Sequence, residues 1–216
     1  MRHAIIAFGE SRSFPAGDDF LEGSYDEAAA DVLVLLGQPR YHPDPARVAI
    51  LIELGTECLG VHTGEASGQE GSNAIGFARY RNGDDPPSPL VELVRQPNTD
   101  PVALKTARAL FEAAGLTVVE CNDQAGRIID RLVRPKYNAA LRFLDEGLAT
   151  AADMDLTCRM GLGYPDGPIE RVVRGGLAAH HDITRALFET YGTAAYAPAR
   201  RAVVSARRRD RNDGAQ

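Results

Sequence analysis

Histidine, cysteine and carboxylate side chains are the groups in this 216-residue chain that could do chemistry, and their spacing limits what that chemistry is. Cys58, Cys121 and Cys158 are odd in number, far apart and in no CxxC pair, so they imply neither a disulfide framework nor a zinc site. His180 and His181 precede Asp182, but two metal ligands on a helix need i, i+3 or i+4 spacing to face one ion. No metal is expected there. At most one of the two histidines points inward, and surface or N-terminal capping roles suit them. His62 ends a short apolar run, where α/β folds place functional groups, although a plain loop residue accounts for it more simply. Asp130-Arg131 reads either as a charged pair between domains or as a solvated helix face.

Binding a nicotinamide dinucleotide would need G-x-G-x-x-G directly after the first strand, because the backbone must turn tightly and approach the pyrophosphate. After Ala4–Phe8 the chain reads Gly9-Glu10-Ser11-Arg12-Ser13-Phe14, with only the first glycine in place. Glu10 adds negative charge where a diphosphate should sit. Glu27 or Asp31 stands where a ribose-binding acid belongs by count, but neither ends a strand. Gly9 is thus the single residual candidate for cofactor contact, in degenerate form.

The elements that must position these groups fall into two halves. Ala4–Phe8 and Asp31–Leu36 are continuous apolar runs of the kind buried in parallel sheets. Glu10–Gly23 reads as loop, Tyr25–Ala30 as a brief helix, and Pro45–Leu54 as a helix ended by Gly55. Cys58–His62, Ala74–Tyr80 and Leu90–Arg95 read as strands. Thr99-Asp100-Pro101 opens a helix over Val102–Ala114, and Thr117–Cys121 is strand-like. A long helix is expected from about Ala125 to Glu146, kinked or split at Pro135. Thr150-x-x-Asp153 resembles a capping box opening Ala151–Met160, and helices over Ile169–Val173, His180–Tyr191 and Ala197–Ser205 follow. The expected domains are 1–96, an α/β truncated Rossmann-like unit; 97–205, an all-α unit; and 206–216, a disordered Arg-rich tail.

Composition excludes whole classes. With 44% hydrophobic and 25% charged residues, the chain is that of a soluble globular protein. A formal charge of −6 argues against nucleic-acid binding, and Arg200–Arg211 reads as a frayed, solvated end. No apolar run approaches the ~18 residues needed to span a membrane, and Ala4–Phe8 is too short for a signal peptide. A cytoplasmic location is expected.

The stretch Asp123–Gly167 ends in Gly-Leu-Gly-Tyr-Pro-Asp-Gly before Pro168. It resembles the helical C-terminal domain of the 3-hydroxyacyl-CoA dehydrogenases, whose pattern there runs PGFIxNRLLxPYxxEAxxLxxEGxxxxxDID…GxGxPMGP. Arg127 and Asp130 stand where that pattern has Phe and Asn. The resemblance implies that Pro89–Val94 matches the family's LVEVV segment, which makes Glu92 its retained catalytic carboxylate. The family's basic His falls on Ala78, or on Tyr80 without a gap, and its TNTSS serine near Gly64, Glu65 or Ser67. The early DVLVLLG run and Gly9–Ser11 resemble the shortened second half of duplicated phenylacetate-pathway 3-hydroxyadipyl-CoA or 3-hydroxybutyryl-CoA dehydrogenases.

Three functions follow from that resemblance. The first is a degenerate dehydrogenase half that offers dimerisation and acyl-CoA-binding surface in fatty-acid or phenylacetate-type catabolism, with a second copy or a full-length 3-hydroxyacyl-CoA dehydrogenase as partner and no cofactor of its own. The second is a working NAD-dependent enzyme with an altered site around Glu92, His62 and Asp130. The third is a CoA-thioester-binding module without redox chemistry.

Overall fold

A computed structural model of the chain describes residues 2–214. It divides into two units, the first holding the residues up to Arg81 together with Pro87–Ile128, the second Asn82–Pro86 together with everything from Ile129 onward.

The first unit is built on six strands in sequential order: β1 (His3–Ala7), β2 (Val32–Leu36), β3 (Ala49–Glu53), β4 (Ala74–Arg79), β5 (Leu90–Arg95) and β6 (Thr117–Asn122). β1 to β4 are parallel, β5 runs antiparallel to β4, and β6 is parallel to β5. Every residue of β2 and β3 is buried, as a strand covered on both faces requires. Alternation then sorts them: Val32, Val34, Leu51, Ile75, Phe77 and Leu93 join one core cluster, whereas Leu33, Leu35, Ile50, Ile52 and Val94 join another. The helix α2 (Pro101–Ala113) covers the first cluster with Ala103, Ala107, Leu110 and Phe111, spaced as one helical stripe. Asp100 caps it by accepting from Val102 N, ahead of the N1 proline. A short helix, α1, spans Gly60–Thr63.

The second unit is helical: α3 (Ile129–Asp145), α4 (Ala151–Leu162), α5 (Pro168–Arg174), α6 (Leu177–Tyr191) and α7 (Arg200–Asp213). Its core gathers Tyr137, Ala140 and Leu141 of α3 with Ile169 and Val172 of α5 and Ala199. Thr150 caps α4 as expected, accepting from Asp153 N. Truncated Rossmann-like sheet and helical array are thus both present.

Several boundaries differ from expectation. Pro45–Leu54 holds strand β3 instead of a helix, because AILIE is buried on every side and a short continuous apolar run carries no period that separates helix from strand. Cys58–His62 is not a strand, since α1 begins within it at Gly60. The 96/97 boundary moves to Ile128/Ile129, since α2 and β6 complete the sheet unit. The tail expected to be disordered from 206 is helical to Asp213, with Ala206 buried; Ala215 and Gln216 lie outside the described residues. Pro135 does not split α3. The early start at Ala125 fails because Gly126 and Arg127 hold φ of +72° and +47°, which no α-helix accepts.

Candidate functional site

Two polar constellations stand out, one in each unit. In the sheet unit the strand β3 ends in Glu53, a buried carboxylate beneath the loop that follows β1. Glu53 Oε1 accepts from Ser11 Oγ and from Ser13 N, each at 2.8 Å, and Oε2 accepts from Gly37 N at 2.8 Å. Gly9 lies against Gly37, where a Cβ would come 2.4 Å from the Gly9 oxygen and where φ is +67°. Gly37 is therefore the glycine this close backbone approach requires, and a Cβ on Gly9 would meet only Gly37 O at 3.6 Å. A diphosphate placed over this loop would meet the Glu53 carboxylate in place of free N–H donors, so the residues present do not fit a dinucleotide. The parallel strands β1 to β4 also step always to the same side, which leaves no reversal of strand order to open the usual nucleotide crevice. Glu53 escaped the sequence reading; an acid closing an otherwise apolar run was its signal.

Glu92, the expected catalytic carboxylate, is buried in the middle of β5. Its cross-strand partner on β4 is Ala78, the position at which the resemblance puts the basic histidine. The carboxylate instead accepts from Ile128 N at 2.9 Å and pairs with Arg127 Nε at 3.4 Å. Arg127 Nη2 donates to Gly55 O at 2.8 Å, and Nη1 finds no partner among the described residues. His62 pairs elsewhere, its Nε2 lying 3.2 Å from Glu57 Oε1. Burial alone would raise the Glu57 carboxyl, but hydrogen bonds from His62 and Gly55 N hold it below the usual range.

Cys58, Glu65 and Asp123 bring one ligand atom each within 4.8 Å of one another. The Asp123 oxygens already accept from Leu59 N and Gly60 N at 2.6 and 2.8 Å, capping α1. Burial first, then Asp123, pushes the Cys58 thiol up, away from the thiolate a metal needs. The grouping is accounted for as a helix cap.

The helical unit holds the second constellation. Asp130, Arg134 and Asn138 recur at four-residue intervals along α3 and so share one face. Asp130 Oδ1 accepts from Arg134 Nε at 2.8 Å, so the partner of Asp130 is Arg134 and not the adjacent Arg131, whose guanidinium lies over Tyr191. Arg134 Nη1 lies 3.4 Å from His180 Nδ1, and His180 Nε2 lies 3.0 Å from Asn138 Oδ1. A guanidinium can only donate, so Nδ1 accepts, and the proton sits on Nε2. Asn138 also receives Ala199 N and donates to Ala195 O. His180 is buried, contrary to the surface or capping role expected of it, and burial followed by the charge of Arg134 pushes its pKa down to about 3. It ties α6 to α3 as a neutral group.

Residues 126–216 match the family described as the 3-hydroxyacyl-CoA dehydrogenase C-terminal domain. The chain is 34% identical over 114 residues to a 3-hydroxybutyryl-CoA dehydrogenase of Mycobacterium tuberculosis, a match covering 52% of this chain and 40% of that protein. It is 34% identical over 88 residues to the mitochondrial hydroxyacyl-coenzyme A dehydrogenase of Homo sapiens, covering 41% of this chain and 28% of that protein. The chain therefore matches less than half the length of these curated relatives. Among solved structures, the fold is similar to that of (S)-3-hydroxybutyryl-CoA dehydrogenase from Ralstonia eutropha, with a TM-score of 0.67, 21% identity, and coverage of 81% of this chain and 64% of that one. From residue 126 onward the chain is thus similar to the C-terminal domain of the 3-hydroxyacyl-CoA dehydrogenases.

Proposed function

We propose that this protein is a catalytically degenerate member of the 3-hydroxyacyl-CoA dehydrogenase family, a subunit that offers its helical unit as dimerisation and acyl-CoA-binding surface in fatty-acid or phenylacetate-type catabolism. One observation carries the reading: Glu92 is paired with the Arg127 guanidinium and faces Ala78, with no imidazole at the position where proton transfer needs one. Oxidising a 3-hydroxyacyl thioester requires a base that takes the hydroxyl proton near neutral pH. Ala78 has no ionisable group, and the Arg127 guanidinium only donates hydrogen bonds and has no acceptor to take a proton. Glu92 itself holds the turn into Ile128 through its own hydrogen bond. The loop after β1, with its donors turned onto Glu53, supports the same reading for the cofactor. Leu156, Met160 and Leu162 of α4 are exposed apolar side chains in the helical unit and suit an association surface.

The test is calorimetric titration of the full chain with NAD and with acetoacetyl-CoA, together with NADH production from 3-hydroxybutyryl-CoA. Binding of the thioester without NAD binding or turnover is the expected result. Turnover that disappears in Glu92→Gln would establish an active enzyme with an altered site and overturn the degenerate reading.

A further inference from the structure

The helix α7 is the most basic element of the chain, with Arg200, Arg201, Arg207, Arg208, Arg209 and Arg211 in fourteen residues. Most arginines of the helical unit are matched to a carboxylate, among them Arg134, Arg159, Arg171, Arg174 and Arg185. On α7 the matching runs short. Arg200 and Arg201 share a single acid, Asp145, and Arg209 pairs with Asp182 and Asp210. Among the described residues Arg207, Arg208 and Arg211 make no ion pair.

One of these unmatched charges opens onto a groove. A groove of about 420 Å³ is lined by Arg200, Arg201, Val204, Ser205 and Arg208 of α7 and by Leu177 at the start of α6. Positions 201, 204, 205 and 208 fall on one stripe of the helix, so the two guanidiniums, the hydroxyl and the valine face the same space. The composition of the walls is specific: three cations against the one carboxylate that Arg200 and Arg201 share, a hydroxyl donor, and two partly exposed apolar side chains. Gly176 brings no side chain to cap α6, so first-turn N–H groups beside Leu177 lack a side-chain acceptor and add to the positive field.

We infer that this groove binds a soluble phosphomonoester whose phosphate is held by Arg208, Arg201 and Ser205 while its organic part lies on Val204 and Leu177. A phosphomonoester carries about −1.5 to −2 charges near pH 7, which matches the surplus of guanidiniums over the shared Asp145. Arginine's planar fork suits phosphate oxygens, and the apolar floor favours an ester over inorganic phosphate. The groove lies within the helical unit and uses none of the residues around Glu92, so it stands whether or not the degenerate reading does.

Titration calorimetry of the full chain with hexyl phosphate and with inorganic phosphate tests the proposal. Hexyl phosphate should bind several-fold more tightly than inorganic phosphate, because a few buried CH₂ groups favour it. Arg208→Ala should weaken hexyl phosphate by about tenfold, the usual loss of one charge-assisted hydrogen bond. Arg207→Ala removes the same charge from the same helix outside the groove and should change affinity less than about twofold. Arg208 is exposed and makes no ion pair, so its replacement leaves the fold intact, which circular dichroism checks. Equal losses in Arg207→Ala and Arg208→Ala would reduce the feature to diffuse charge and overturn the site. So would an oligonucleotide that binds more tightly than hexyl phosphate, or capture by anionic lipid vesicles without binding of the soluble ester.

Discussion

Lowering the pH from 7 to 5 should destabilise the helical unit through His180. The imidazole accepts from Arg134 and donates to Asn138 in the folded state, where its pKa is about 3, against 6.5 when exposed in the unfolded chain. The folded value lies below the unfolded one, so the unfolded chain takes up the proton first and falling pH favours unfolding. The stabilising contribution is fully present above pH 6.5 and is lost progressively as the pH falls through 3. In that window the slope approaches about 1.4 kcal/mol per pH unit, and the loss at pH 5 is about 2 kcal/mol. Carboxylates held down by arginines, such as Asp145 and Asp166, lose their contributions at lower pH, which leaves the interval from 7 to 5 to the histidines. His3 of the sheet unit, lowered chiefly by burial, shifts in the same direction and must be separated from His180.

Urea denaturation at pH 7, 6 and 5 measures the effect. The chain has no tryptophan, and Tyr137, Tyr164, Tyr191 and Tyr196 report on the helical unit by fluorescence. His180→Gln can keep one donor and one acceptor in the cavity without a titrating group. Wild type should lose about 2 kcal/mol between pH 7 and 5 in the helical transition, and the variant close to none of it. Equal pH dependence in the two proteins would refute a neutral, buried His180 and the hydrogen-bond polarity assigned to it.

Two further outcomes follow from buried charge. Glu92→Met alone leaves Arg127 buried without its carboxylate and should destabilise the sheet unit by about 3–5 kcal/mol, whereas adding Arg127→Met to it should recover a large part; denaturation of both variants and wild type checks the difference. Asp155 caps α5 by accepting from Ile169 N and Glu170 N at 2.8 and 2.9 Å, so Asp155→Ala should cost about 1–2 kcal/mol, read in the same helical transition.

The parts of this molecule that were legible in the sequence are those set by local rules. Asp100-Pro101 and Thr150 announce helix starts because capping chemistry is confined to a few adjacent residues. The sheet was legible as strands, but β3 was read as a helix, since full burial on two faces erases the period that tells the two apart. What lay beyond local reading is the pairing of polar groups distant along the chain. Glu53 with Ser11, Glu92 with Arg127, and Arg134 with His180 are separated by tens of residues, and nothing in the order of residues says which donor meets which acceptor. Arg127 shows why this matters for function. Read alone, it is an aromatic exchanged for a cation. Placed against Glu92, whose cross-strand neighbour is Ala78, it is a guanidinium that compensates a buried carboxylate with alanine, not histidine, opposite it. Glu92 has a folding role of its own: its other oxygen accepts from Ile128 N just ahead of α3, a task independent of any catalysis.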